Sequence, residues 1–147
     1  MIPGIPSIGT SQEADMEALC PKEYQKGVRL FNEGRYFECH DVLEELWTET
    51  FGEERSFYQG LIQAAVAMFH LENNNLGGAA RMFEAACAKL RAYPPRYRGI
   101  DLRRFLEDLD RCRAWLREVR CERDDPPADR PGPTVKIYLH TTRGNRE

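Results

Sequence analysis

The residues from 53 to 72, EERSFYQGLIQAAVAMFHLE, are apolar almost all the way round a helical wheel. A helix with so little surface to offer water has to be wrapped by the rest of the chain. At 147 residues the chain is long enough for one domain that does this. The longest uninterrupted apolar run, 64–69, is far short of the roughly 18 residues that a membrane span needs. No membrane partner is therefore expected. The wheel shows one narrow polar stripe, made of Arg55, Gln59, Gln63 and His70 with Ser56 beside it.

Four further helices flank this one, each with a 3-4 apolar spacing. The first is expected over 21–33, starting on Pro21 and stopping at Gly34, with Tyr24, Val28 and Phe31 as its stripe. The second is expected over 35–50. The fourth covers 76–92, with Asn75 as N-cap and Pro94-Pro95 as its stop; Leu76, Ala79, Phe83, Ala86 and Leu90 form its stripe. The fifth covers 102–119, capped by Asp101, with Leu102, Phe105, Leu109, Cys112 and Leu116 facing inward. The fold class expected is all-α: a single antiparallel bundle of about five helices with an extended C-terminal arm. The expected division is a flexible Pro/Gly/Ser-rich N-terminus at 1–12, the bundle at 13–121, a Pro-rich linker at 122–133 and the arm at 134–147. Thr134 to Thr141 alternates apolar and polar residues. A lone strand of this kind packs on its own bundle, joins a partner or stays loose.

Charge is unevenly distributed. Residues 1–75 hold 5 basic and 13 acidic side chains, net −8, whereas 76–147 hold 16 and 11, net +5. Such polarity steers partners or self-association, although solvated helix faces that differ by chance would give the same arithmetic. The N-terminus lacks the basic and apolar regions of a secretory signal, and the five cysteines form no C-x-x-C pair. Reduced thiols and a cytoplasmic location are expected, with Cys39, Cys87 and Cys112 as small core residues.

The second helix, RYFECHDVLEELWTET, carries the most chemical information. Tyr36, Cys39, Leu43, Leu46 and Trp47 fill one arc, while Glu38, Asp41, Glu45 and Glu49 lie on the opposite, solvated side. His40 and Glu44 fall at the edge of the buried arc. A short loop makes helices two and three antiparallel neighbours, which sets Glu44 near Gln59 and His40 near Gln63. Two independent polar stripes thus arrive at the same height. They could form a hydrogen-bond network that fixes helix register, a ligand pocket, or a His–Glu pair that binds a divalent metal or works as a base with its orienting group. A metal site wants three or four strong ligands, and Gln is a weak one. No metal site is assigned and no cofactor is expected. Trp47 suits the core better than a stacking platform. The fifth helix is arginine-rich, with Arg103, Arg104, Arg111, Arg113, Arg117 and Arg120, but acidic residues are interleaved and the chain as a whole is acidic. Nucleic acid is therefore a secondary expectation. No phosphate-cradling loop or serine elbow is present.

The string FNEGRYFECHDVLEELW at 31–47, followed by QGLIQAA at 59–65, resembles domain-of-unknown-function family 309. The pattern is an aromatic-rich turn, Glu-x-His, Leu-Glu-x-x-Trp and then Gln-Gly-x-x-Gln. The resemblance covers about 22–118 and marks Gly34, Glu38, His40, Glu44 or Glu45, Trp47, Gln59, Gly60 and Gln63. Asp41 stands where Glu is common in the family. The resemblance implies a small all-helical bundle and no particular activity. The leading functional expectation is a non-catalytic binding or scaffold module with a polar inter-helix pocket of His40, Glu44, Gln59 and Gln63; the ligand-binding residues or buried polar network are expected to be these four with Glu38 and Trp47. A small molecule or a protein is the expected partner, with a homodimer among the alternatives. A metal-dependent hydrolase using His40 and Glu44, and a weak nucleic-acid binder using the fifth-helix arginines, are the rival functions.

Overall fold

The computed structural model describes residues 21–122 and 132–139. Five α-helices follow in order: α1 (Lys22–Asn32), α2 (Tyr36–Thr48), α3 (Glu53–Glu72), α4 (Leu76–Leu90) and, after a short hairpin, α5 (Leu102–Glu122). The all-α bundle is as expected. The expected N-terminal segment 1–12, most of the linker, and the arm beyond 139 lie outside the described residues.

Local chemistry sets the helix ends. Gly34 terminates α1 at φ +83°. Asn75 caps α4 by accepting from the Gly78 N–H at 3.0 Å, and Asp101 accepts from the Arg104 N–H at 3.2 Å at the start of α5. The fourth helix stops at Leu90, earlier than Pro94 requires, and α5 runs on to Glu122.

The helices pack sequentially, and α3 sits at the centre. Phe57, Tyr58, Leu61, Ala64, Ala65 and Ala67 of α3 are all buried. The Tyr24 ring of α1 lies 6.2 Å from Phe57 and 5.7 Å from Tyr58. Phe31 of α1 meets Phe105 of α5 edge-on at 5.5 Å, which closes the bundle. Glycines permit close helix approaches at two places. A Cβ on Gly60 of α3 would stand 2.7 Å from Leu90 Cδ2, and one on Gly27 of α1 would stand 2.5 Å from Leu43 Cδ2.

The sequence reading did not include a hairpin. Strands β1 (Arg96–Tyr97) and β2 (Ile100–Asp101) pair antiparallel across Arg98-Gly99, both at positive φ (51° and 80°). That is the signature of a two-residue primed turn, and the Gly was its visible signal. Tyr97 of this hairpin and Tyr93 just before it meet Phe57 edge-on, with ring centroids 4.7 and 5.4 Å away.

The start of the arm packs on its own bundle. Residues 132–139 lie along α1 and α5, and Val135 and Ile137 are buried. The Asn32 side chain grips Ile137 at two points: its Nδ2 donates to the Ile137 carbonyl at 2.8 Å, and its Oδ1 accepts from the Ile137 N–H at 2.7 Å. Asp108, buried in the inner face of α5, accepts from the Lys136 N–H at 3.2 Å and the Tyr138 hydroxyl at 2.9 Å, and is ion-paired with Arg111. Ile100 and Leu139 form an isolated antiparallel bridge.

Candidate functional site

Two contacts fix the register of α2 against α3. At one end the Arg55 guanidinium sits over the Trp47 ring, 3.9 Å from its centroid. At the other, Phe37 meets Phe69 with ring centroids 5.6 Å apart. Between these brackets lie His40 and Glu44 on α2, and Gln59 and Gln63 on α3. The antiparallel arrangement inferred from the short loop is the one observed.

The seam is partly open to solvent. His40 and Gln59 are half-buried, as are Gln63 and Trp47, while Glu44 is exposed. His40 Nε2 approaches Glu44 Oε2 at 3.4 Å, one turn apart on α2, and the Phe37 ring lies 5.7 Å from the imidazole. The carboxylate is half-exposed, so this pair is worth little to the fold. Gln63 behaves differently. Its side-chain oxygen is buried and accepts no hydrogen bond, and the Trp47 indole N–H is likewise buried without an acceptor. The four polar residues therefore do not close into a self-satisfied network: the Gln63 carbonyl is not bonded to His40. A buried acceptor left unmet costs about 1–3 kcal/mol.

Glu38 is not brought to the seam. It is half-exposed and held by Arg35 in a fork, with Nε donating to Oε1 at 2.6 Å and Nη2 donating to Oε2 at 2.8 Å. The guanidinium holds the Glu38 carboxyl below its usual range. His70 stands at the end of α3 with Nδ1 3.4 Å from Asn75 Nδ2, away from His40. Large apolar groups are exposed at both ends of α2: Phe37 at 56% and, in the loop closing the seam, Phe51 at 81%. The sequence reading passed over both, although Phe37 lies beside His40 on the wheel and Phe51 directly precedes the Gly52 stop.

Among the described residues no group of three or more His, Cys, Asp or Glu side chains is placed to hold a metal ion, so His40 and Glu44 stand as a two-donor pair. The buried thiols are not nucleophiles. Burial pushes Cys39 and Cys112 up to about 12, and raises Cys87 as well. The α5 arginines do not form one continuous basic face. Arg111 pairs with Asp108, Arg113 with Asp110 at 3.1 Å, and Arg104 lies 3.8 Å over the Tyr138 ring. No helix among the described residues is long and apolar enough to cross a membrane.

Comparison with known proteins places this seam inside a family signature. Residues 24–82 match the family described as Domain of unknown function (DUF309). The match is shorter than the 22–118 expected, but it contains every marked position from Gly34 to Gln63. An uncharacterized protein of Aquifex aeolicus (strain VF5) is 32% identical over 113 residues, which is 76% of this chain and 30% of that protein. Uncharacterized protein YpuF of Bacillus subtilis (strain 168) is 39% identical over 74 residues, 49% of this chain and 42% of that one. The chain thus spans less than half the length of either relative.

Proposed function

We propose, on the match of residues 24–82 to the DUF309 family model, that the chain is a non-catalytic binding module whose α2–α3 seam receives a polypeptide partner. The observation that carries this reading is the pair of unmet buried groups, the Gln63 oxygen and the Trp47 N–H, one on each helix of the same seam. One needs a donor and the other an acceptor. An extended peptide backbone offers both at short intervals. Phe37 and Phe51, exposed at the two ends of α2, supply the apolar contact area that protein interfaces use. His40 and Glu44 add a polar pair that a partner can bridge.

The test is site-specific photo-crosslinking in the native cell. A photoreactive phenylalanine analogue at position 37 is expected to trap one discrete polypeptide, and Gln63→Leu is expected to reduce the adduct. The same analogue at exposed Ala114 of α5 serves as control. No adduct from position 37, or the same adducts from both positions, would overturn the reading.

A further inference from the structure

The groove between α4 and α5 holds positive charge that the fold does not use. Ala80 and Glu84 of α4, with Arg113, Leu116, Arg117 and Arg120 of α5, line a half-open groove of about 170 Å³. Arg81 lies outside that lining but approaches Arg120 beside Gly77. Its Nη1 and the Nη2 of Arg120 lie 3.7 and 3.6 Å from where a Cβ on Gly77 would stand, so two cations converge over a residue with no side chain. Other arginines find a carboxylate within the fold: Arg98 pairs with Glu54 at 2.7 Å, while Arg91 and Arg113 share the single carboxylate of Asp110, at 2.8 and 3.1 Å. Among the described residues Arg81, Arg117 and Arg120 join no carboxylate within ion-pair distance. Glu84 is the one acidic side chain in the cavity lining.

Like charges gathered in this way repel unless an anion sits among them. Guanidinium forks match oxyanions geometrically, each giving two parallel N–H donors. Among the described residues no aromatic side chain lines the cavity, so none of them offers a nucleobase a stacking surface there. We propose that the α4–α5 groove is a phosphate-binding site, formed by Arg117 and Arg120 with Arg81 beside Gly77. It recognises a phosphoryl group, either free phosphate or a small phosphate monoester. This inference stands apart from the seam reading, because it uses a different pair of helices.

Titration of the purified chain followed through its arginine Nε–H NMR signals tests the proposal, with inorganic phosphate, glycerol 1-phosphate and acetate as probes. Saturable shifts of the Arg81, Arg117 and Arg120 signals are expected with either phosphate probe. Binding should weaken by about tenfold or more in Arg117→Ala/Arg120→Ala. A tighter monoester places the ligand among phosphorylated small molecules, and a tighter inorganic ion makes it free phosphate; both uphold the site. Absence of saturable shifts at millimolar phosphate, equal binding of acetate, or affinity unchanged in the double variant would overturn it.

Discussion

Asp108 shows how much one side chain can hold together. It is 2% exposed, yet it joins α5 to the arm through Lys136 and Tyr138. Asp108→Ala leaves that amide and hydroxyl short of an acceptor, and should cost about 2–3 kcal/mol. A denaturant midpoint equal to the parent's would refute this. The buried thiols give a second prediction at this scale. Their ordinary value of 9.0 is raised to about 12 at Cys39 and Cys112. The folded state thus favours the neutral thiol. Its contribution is fully present below pH 9 and drains away as pH climbs towards 12, because the unfolded chain ionises first. Mass-mapped alkylation at pH 9 should leave both unlabelled until denaturant is added; equal labelling in the folded protein would contradict the account. Periodicity made the cysteines and the caps Asn75 and Asp101 legible. It could not make Asp108 legible, because a carboxylate on an apolar arc reads as an interruption until its distant partners at 136 and 138 are known.

Among the elements, the arm and the hairpin separate what local pattern reveals from what it does not. The alternation in 134–141, described only as far as 139, left the partner of this segment open. The choice was made by contacts more than 100 residues away in sequence, from Asn32 to Ile137. Truncation after Arg123 should remove the cover over α1 and α5 and lower the melting temperature; an unchanged melt would show that the arm adds nothing to the bundle. The α2–α3 register, by contrast, was legible, because a short loop leaves two amphipathic helices one antiparallel arrangement. The details at its ends, Arg55 on Trp47 and Phe37 on Phe69, depend on side-chain reach that a wheel does not encode. Glu38 illustrates the same limit. The resemblance grouped it with the seam, yet Arg35 three residues earlier holds it on the solvent side.

A well-packed aromatic core coexists with a seam that the fold leaves unfinished. Tyr24, Phe31, Phe57, Tyr58, Phe83 and Phe105 are essentially inaccessible, while the seam retains two buried polar atoms with no partner. A chain selected for stability alone would place an apolar residue at 63. The most direct measurement is therefore the thermal melt of Gln63→Leu beside the parent. The account predicts a higher melting temperature, from a gain of about 1 kcal/mol or more when the unmet carbonyl is removed. A variant that melts lower would mean that this carboxamide is satisfied within the bundle, and the seam would lose its claim to be a docking face.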